Sequence, residues 1–396
     1  MIIARTSSKM ILRLPHSRVL EAAARVIEAS GKERPADSVL RSFLKAAPGV
    51  SRPEGREVAR AVFAYFRWYG WLDKGGAVLA GLKRALELDQ AFCERPGAFS
   101  DDQLAECCVP AWVASHMPVT AAWLRWLQTP PSLWLRAQSG RTDEIMDHLG
   151  NCQPLADLIP GLENTGAIRY VGPADLFQTE AFQNGLFELQ DLSSQVVGWV
   201  CDPKPGQTWW DACAGEGGKT LQLSDLMGNK GLIWASDRAA WRLAILKRRA
   251  ARARSFNYRS ALWQGGESLP TKTKFDGVLV DAPCSGVGTW QRNPHGRWTV
   301  SPEDVRELAA LQHRLLSHAS QSVKPGGRLI YSVCTLTTAE CDGICNAFTA
   351  AHPMFEPAVF PAYGSTGQVA RWSLKPPAFP GNGMFIACWR REPARV

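Results

Sequence analysis

Two short segments of the sequence place a thiol directly after a predicted β-strand. In the first, the acid Asp281 and the thiol Cys284 belong to an Asp-Ala-Pro-Cys segment that ends the apolar run at residues 277–281. In the second, Cys334 follows the apolar run at residues 328–332. Because the carboxyl ends of parallel strands meet at one edge of a sheet, we expect both thiols to face the same crevice. A cysteine thiolate is an effective nucleophile, and an acid beside it can hold or protonate a reacting group.

A glycine-rich loop is a candidate cofactor site. Residues 211–220 read Asp-Ala-Cys-Ala-Gly-Glu-Gly-Gly-Lys-Thr, and they connect a predicted strand at 208–211 to a helix. The free backbone N–H groups at such a helix start, and small residues that let a ligand approach the main chain, favour nucleoside binding. The spacing matches neither the P-loop nor the dinucleotide fingerprint. The predicted contacts are Cys213, Ala214, Gly215, Glu216, Gly217, Gly218 and Lys219.

An acid follows the next predicted strand. The run at 231–236 ends directly before Asp237. An acid about 20 residues beyond such a loop commonly holds the hydroxyl groups of a ribose. Asp237 could instead be the N-cap of the following helix. The loop and the acid together predict a nucleoside cofactor.

The pattern of elements predicts how these residues are positioned. After residue 208, short apolar runs alternate with amphipathic helices, which is typical of a doubly wound α/β fold. The clearest helix is predicted at 305–323, after the start signal Ser301-Pro302. Residues 16–88 instead have helical apolar spacing throughout. The aromatic and basic segment 58–72 within them could stack on bases, but we favour an aromatic helix face that packs in a core.

The composition constrains the partner and the compartment. The formal net charge of +8 is compatible with a polyanionic partner. The first 15 residues lack the apolar core of a signal peptide, and no apolar run is long enough to span a membrane. Most of the 11 cysteines are therefore expected to be free thiols in a reducing cytoplasm. Neither the pair Cys107-Cys108 nor the pair Cys341 and Cys345 has the two-residue gap of common zinc or redox motifs. We expect no membrane association and no metal.

These segments closely resemble the Sun/Nop family (RsmB-like proteins) of RNA cytosine-5 methyltransferases. The matching residues are 190–195, 211–220, 281–286, Arg292-Asn293-Pro294, Arg297-Trp298, Leu311-Gln312, 325–327, 332–335, Glu340 and 381–387. The resemblance is specific over about 180–395. Upstream it is looser, where Leu135-Arg136 resembles the family's small domain before catalysis and the helices resemble a NusB-like domain. It implies a helical, NusB-like RNA-binding domain at 1–115, a small α+β domain at 116–180, and a Rossmann-like methyltransferase domain at 181–396.

The resemblance also implies the role of each catalytic residue. Cys334 would add to carbon-6 of the cytosine, because carbon-5 is not nucleophilic enough to take a methyl group unaided. Asp281 would hold the cytosine edge and favour protonation of N3, and Cys284 would assist release of the product. Lys219 would lie near the base and could lower the pKa of the thiol.

The implied cofactor is S-adenosyl-L-methionine. It would contact the glycine-rich loop, Asp237 and Asp281. The family often has an Asp near the adenine after the third strand, where this chain has Gln264. The loop also has Gly215-Glu216 where the family usually has Ala-Pro.

The predicted substrate is RNA. A predicted helix at 241–254 carries basic residues that could bind phosphates, although a solvated helix face would look the same. They are Arg242, Lys247, Arg248, Arg249, Arg252 and Arg254. A cytosine has to be unstacked to reach the thiols, so single-stranded or loop RNA is expected. The NusB-like region favours ribosomal RNA over transfer RNA, and we expect a monomer.

Three other functions compete with this interpretation. A non-catalytic ribosome-assembly RNA-binding factor would not need Cys284, Cys334, Asp281 and Lys219 together. A DNA cytosine methyltransferase would have its nucleophile at Cys284 and would not explain Cys334. An amino-group methyltransferase would have Asn/Asp-Pro-Pro-aromatic at the strand end and needs no thiol. We therefore favour the RNA cytosine-5 methyltransferase.

Overall fold

The computed structural model describes residues 16–393, except 48, 160, 161, 163, 164 and 364–366. The first 15 residues, where no signal peptide was predicted, lie outside the described residues. The chain divides into two compact units. The helical unit comprises residues 1–114, 118–130 and 290–300, and the sheet unit comprises residues 115–117, 131–289 and 301–396.

The helical unit is built from amphipathic helices. Its first six are α1 (Ser17–Glu28), α2 (Ala36–Ala46), α3 (Arg52–Arg67), α4 (Val78–Glu94), α5 (Asp101–Cys107) and α6 (Ala121–Leu127). Helix α3 begins with a capping box, in which Ser51 and Glu54 each bind the other's backbone N–H through the side chain. Tyr65, Phe66 and Trp68 are buried. The aromatic residues of segment 58–72 therefore include core residues of this unit, which is the alternative that the sequence analysis favoured.

A small antiparallel sheet opens the sheet unit. It has the order β2-β3-β1-β4, and all its pairs are antiparallel. Its elements are β1 (Leu133–Ala137), α7 (Thr142–Leu149), β2 (Cys152–Pro154), β3 (Ala167–Tyr170), α8 (Glu180–Gln183) and β4 (Phe187–Leu189). Strand β4, which pairs with β1, lies beyond residue 180, where the small domain was predicted to end. The predicted division into three domains stays a prediction.

An eight-stranded sheet forms the rest of the sheet unit. The elements from here on are α9 (Leu192–Cys201), β5 (Thr208–Asp211), α10 (Gly218–Leu226), β6 (Leu232–Asp237), α11 (Ala240–Arg252), β7 (Tyr258–Leu262), β8 (Phe275–Asp281), α12 (Gly296–Thr299, in the helical unit), α13 (Pro302–Ser320), β9 (Val323–Val333), α14 (Asp342–Ala351), β10 (Phe355–Pro357), β11 (Phe360–Pro361), β12 (Gln368–Val369), β13 (Arg371–Leu374) and β14 (Met384–Arg391). The pair β11-β12 is separate from the large sheet.

The strand order places a crevice at the middle of the large sheet. The order is β10-β14-β9-β8-β5-β6-β7, and β13 also pairs with β14. The strands β7, β6, β5, β8 and β9 are parallel, and β14 is antiparallel to β9. The chain runs outward from β5 to β7 and then returns to β8 on the other side. In such sheets ligands bind where the order reverses, at the carboxyl ends of the strands.

Both faces of this sheet are buried. Trp209 and Trp210 are neighbours on β5 and pack into two different apolar cores. A Cβ at Gly277 on the adjacent strand would come within 2.3 Å of the Trp209 ring, so glycine is required there for close packing. Burial on both faces is typical of a parallel sheet covered by helices.

Residues 290–300 interrupt the sheet unit and belong to the helical unit. Arg297 is fully buried there. Its guanidinium donates to the carbonyl oxygens of Arg67 (3.4 Å), Cys108 (3.4 Å) and Leu127 (2.6 Å), at the carboxyl ends of α3, α5 and α6. It also donates to the Gln128 side-chain oxygen at 3.0 Å. Helix carboxyl ends carry partial negative charge, which stabilises a buried cation.

The predicted fold class is confirmed. The predicted strands overlap β5, β6, β8 and β9, and the basic helix is α11. Helix α13 ends at Ser320 rather than at Val323 because Val323 pairs with Phe275 in the sheet. In the described part of the chain, no helix is both long and apolar enough to cross a membrane.

Candidate active site

The glycine-rich loop connects β5 to α10 at the point where the strand order reverses. Gly215 has a φ of 55°, and a Cβ built on it would have no neighbour within 4 Å. Gly217, at φ 88°, is the N-cap of α10, and a Cβ there would come within 2.6 Å of Leu246. Gly215 therefore leaves the main chain open to a ligand, whereas Gly217 is required for packing against α11.

Asp237 lies at the end of β6 and binds the glycine-rich loop. Its Oδ2 accepts a hydrogen bond from the Gly215 N–H (3.0 Å), and its Oδ1 accepts one from the Ala239 N–H (2.8 Å). A carboxylate has about four acceptor positions, so both oxygens can still accept bonds from ligand hydroxyls. The N-cap of α11 is Ala239 rather than Asp237.

The two predicted catalytic thiols lie 3.2 Å apart, Sγ to Sγ. Cys284 follows β8 and Cys334 follows β9, which are adjacent parallel strands. The hydrogen bond with Cys334, together with burial, raises the pKa of Cys284 well above that of a free thiol. Either thiol can be the donor of this hydrogen bond.

Asp281 is held by two side chains. Lys219 Nζ lies 2.6 Å from its Oδ2, and the Ser332 hydroxyl donates to its Oδ1 at 2.7 Å. Burial acts to lower the pKa of Lys219, but the negative charges of Asp281, Asp211 and Cys334 raise it above its ordinary value. The lysine therefore stays charged, and it fixes the Asp281 carboxylate in one orientation.

Asp211, the first residue of the loop, is fully buried. Burial raises the pKa of its carboxyl to about 7, against the opposing effect of a 2.7 Å hydrogen bond from the Thr220 hydroxyl. Its Oδ1 has no hydrogen-bond partner among the described residues. This carboxyl therefore loses its proton at a higher pH than an exposed aspartate does.

A cavity of about 420 Å³ joins the loop to the thiols. Its volume is within the usual range for small-ligand sites. The predicted site residues in its wall are Cys213, Ala214, Gly215, Glu216, Asp237, Gln264, Asp281, Cys284 and Cys334. Gly217, Gly218 and Lys219 instead begin α10, and Lys219 reaches the site through Asp281. The open main chain at Gly215, the acid at Asp237 and the size of the cavity fit a nucleoside cofactor.

The apolar wall of this cavity was not predicted from the sequence. Trp263, Leu311 and Leu315 line it. Leu311 and Leu315 lie one turn apart on α13, a spacing that predicts only an apolar helix face. Gln264 lines the cavity as well, and its side-chain amide donates to the Arg238 carbonyl at 3.4 Å.

The basic helix α11 is partly neutralised. Arg249 and Arg252, predicted to bind phosphates, both form ion pairs with the buried Glu188. Lys247 and Arg248 are exposed. The predicted phosphate-binding surface is therefore smaller than the run of basic residues indicates. Glu188, the partner of both arginines, lies on a strand more than 60 residues earlier in the chain.

Comparison with known proteins shows what the sheet unit is similar to. Residues 199–390 match the family described as 16S rRNA methyltransferase RsmB/F. The chain is 36% identical over 227 residues to the probable ribosomal RNA small subunit methyltransferase B of Bacillus subtilis, an alignment covering 54% of this chain and 50% of that protein. It is 33% identical over 268 residues to the protein of the same name from Synechocystis sp., covering 65% and 59%. The chain thus spans about half the length of the curated relatives it matches.

One solved structure shares the fold over almost the whole chain. The crystal structure of PH0851 superimposes with a TM-score of 0.77 at 22% identity, covering 96% of this chain and 100% of that one. The prediction that the cofactor is S-adenosyl-L-methionine agrees with the match of residues 199–390 to a methyltransferase family. The resemblance to Sun/Nop-type RNA methyltransferases is confirmed over residues 199–390, which are similar to the RsmB/F family.

Proposed function

We propose that this protein methylates carbon-5 of a cytosine in ribosomal RNA, with S-adenosyl-L-methionine as the methyl donor. The observation that carries the proposal is the pair of thiols, Cys284 and Cys334, 3.2 Å apart in the wall of the cavity that contains the cofactor loop. Methylation of an amino group needs no thiol, whereas carbon-5 must first be activated by a nucleophile. Ribosomal RNA is proposed over transfer RNA because the curated relatives are named as small-subunit rRNA methyltransferases.

The reaction begins with covalent addition. The thiolate of Cys334 forms a bond to carbon-6, and the electron pair of the 5,6 double bond makes carbon-5 nucleophilic. Bound cofactor supplies an electrophilic methyl group. After transfer, solvent water takes the proton on carbon-5, the electron pair of that C–H bond re-forms the 5,6 double bond, and Cys334 leaves carbon-6 as a thiolate. Cys284 assists this release.

The resemblance to the RsmB/F family supports this division of labour, because that family uses the thiol at the position of Cys334 for addition and the thiol at the position of Cys284 for release. Cys284 can stabilise the Cys334 thiolate by donating a hydrogen bond, both before addition and after release. Its position 3.2 Å from the nucleophile keeps it beside the adduct.

Asp281 binds the pyrimidine edge. Its side chain is 28% exposed, so it can reach a base in the cavity while Lys219 and Ser332 hold its two oxygens. A carboxylate fixed in this way can stabilise a proton on N3 as negative charge develops in the ring. Lys219 acts through this ion pair.

RNA binding is assigned to the exposed cations of α11. Lys247 and Arg248 have no carboxylate partner among the described residues, in contrast to Arg249 and Arg252. Each phosphate contact that they make would contribute to the salt dependence of RNA binding.

The test uses purified wild-type, Cys334→Ala and Cys284→Ala proteins. Each is incubated with radiolabelled S-adenosyl-L-methionine and small-subunit rRNA that lacks the modification. The RNA is digested to nucleosides, and covalent adducts are sought on denaturing gels. We expect label in 5-methylcytidine with the wild type, a loss of at least about a thousandfold in Cys334→Ala, and an accumulated protein–RNA adduct in Cys284→Ala.

The matched control is Cys93→Ala, which removes an exposed thiol of the helical unit and should leave the rate unchanged. An adduct that forms in Cys334→Ala and disappears in Cys284→Ala would reverse the two roles. Label in transfer RNA but not in rRNA would correct the substrate. Cofactor binding without label in any RNA would contradict the proposed activity.

A further inference from the structure

A fully buried carboxylate lies in the loop after the second thiol. Glu340 has no exposed surface. It follows β9, and its backbone carbonyl accepts a hydrogen bond from the Tyr331 hydroxyl at 2.7 Å. It does not line the cavity, so it does not contact a ligand there. A buried ion of this kind is stable only if its oxygens are fully hydrogen-bonded.

The carboxylate binds the residue that follows each thiol. Ser285, next to Cys284, donates its N–H to Oε1 at 2.8 Å and its hydroxyl to Oε2 at 2.5 Å. Thr335, next to Cys334, donates its hydroxyl to Oε2 at 3.3 Å. The Ser285 and Thr335 hydroxyls are themselves 2.9 Å apart. One side chain therefore connects the two loops that carry the thiols.

A buried amide extends this connection. Gln312 on α13 donates from Nε2 to Glu340 Oε1 at 2.9 Å and to the Pro283 carbonyl at 2.9 Å. Its Oε1 lies 2.9 Å from the Tyr331 hydroxyl oxygen. The Thr337 hydroxyl donates to Oε2 at 2.7 Å. Within the described residues the carboxylate thus accepts five hydrogen bonds, all from neutral donors.

We propose that Glu340 is a positioning residue, which holds the Cys284 and Cys334 loops together so that the two thiols stay within contact distance. Its significance for turnover rests on the function proposed above. Without the carboxylate, both loops lose their shared acceptor, and each thiol moves independently. Because release requires Cys284 beside the adduct on Cys334, this loss lowers the rate of turnover without changing the cofactor-binding loop.

The first measurement does not depend on RNA or on the proposed activity. Diamide takes two electrons and two protons from a pair of thiols, which become a disulfide while diamide becomes a hydrazine. The rate of Cys284–Cys334 bridge formation, followed by mass spectrometry after quenching, reports how often the two thiols are in contact. We expect Glu340→Gln, which keeps the volume but replaces one acceptor oxygen by a donor, to slow the bridge at least about tenfold.

The second measurement is methyl transfer. We expect kcat of Glu340→Gln to fall about ten- to a hundredfold, with the KM for S-adenosyl-L-methionine unchanged, because misplacement of reacting groups by about 1 Å has effects of this size. The control is Glu356→Gln, which removes an exposed carboxylate on β10 and should change neither rate. A purely structural role would lower the amount of folded protein but not the kcat of the folded fraction.

A second pair of variants keeps the test valid if Glu340→Gln does not fold. Ser285→Ala removes one hydroxyl donor to Glu340 and should slow the bridge and lower kcat. Ser320→Ala removes a buried hydroxyl on α13 that donates to the Ser317 carbonyl at 2.8 Å, and it should do neither. A wild-type rate of bridge formation in folded Glu340→Gln or Ser285→Ala would overturn the inference. A slow bridge in Glu340→Gln, together with a wild type that methylates no RNA, would support the positioning role while contradicting the proposed function.

Discussion

Glu340 in the sheet unit and Arg297 in the helical unit are both fully buried ions. Among the described residues, neither ion forms its hydrogen bonds with a group of opposite charge. Glu340 accepts from backbone, hydroxyl and amide donors, whereas Arg297 donates to carbonyl oxygens. In both places protein dipoles replace the water that an exposed ion would bind.

The two ions differ in what they hold. Arg297 binds the carboxyl ends of three helices and stabilises the helical unit around residues 290–300. Glu340 binds loops that carry chemically reactive groups. Similar physical chemistry is therefore used for folding in one unit and, on our proposal, for positioning in the other. Substitutions that remove one ion or its partners should separate these two roles.

The largest expected effect on stability is at Arg297. Burial lowers the pKa of its guanidinium to about 9, because the charged group is removed from water. Arg297→Met leaves the carbonyl ends of α3, α5 and α6 without donors, so we expect a loss of about 3–5 kcal/mol in the free energy of unfolding. Denaturant unfolding followed by tryptophan fluorescence measures it. Arg306→Met, which removes an exposed arginine, should change it by less than about 0.5 kcal/mol. Equal effects of the two substitutions would contradict the role given to Arg297.

Asp211 is also a buried acid, but unlike Glu340 it accepts few hydrogen bonds. Its folded pKa of about 7 exceeds the ordinary value of 3.8, so the folded state binds more protons than the unfolded state between those values. The free energy of unfolding should therefore fall as the pH rises from about 4 to about 7 and should not change through this group above that range. Asp211→Asn should remove this contribution, on the order of a few kcal/mol. Unfolding curves of both proteins at pH 4.5, about 6 and 8 measure the difference, and parallel pH profiles would contradict the assignment.

Two buried glutamines, one beside each ion, allow a matched pair of substitutions whose expected effects on stability are smaller. Gln128 accepts from Arg297 at 3.0 Å, and Gln312 donates to Glu340 at 2.9 Å. Gln128→Leu and Gln312→Leu should each lower the free energy of unfolding by about 1–3 kcal/mol, because each leaves buried polar groups unpaired. Only Gln312→Leu should also slow formation of the Cys284–Cys334 bridge. If Gln128→Leu slowed the bridge equally, the two roles would not be separable.

The sequence predicted the strands around the candidate active site well. Strand β5 was predicted with its observed bounds, and Cys284, Cys334 and Asp281 all line one cavity. These predictions succeeded because apolar runs and strand ends are local features, and the order of parallel strands then brings their ends together. The end of α13 was missed because pairing of Val323 with Phe275 depends on a strand far away in the chain.

The surroundings of the site were less predictable. Glu340 was noticed only as part of the family resemblance, because its donors Ser285 and Gln312 lie 55 and 28 residues away. In the same way, nothing near Arg249 in the chain indicates that Glu188 neutralises it. Hydrogen bonds and ion pairs between distant segments decide which polar residues are buried, and local patterns contain no information about them.

The position of β14 in the large sheet has a consequence for the order in which the protein folds during synthesis. Val333, directly before Cys334, pairs with Phe385, and β14 lies between β9 and β10. Until the ribosome has released residues 384–391, the edge of β9 exposes unpaired backbone groups, as an edge strand does. The nascent chain therefore carries both thiols before the strand that fixes the second one exists. Chaperone binding to the nascent chain should be strongest in the interval between release of Cys334 and release of β14.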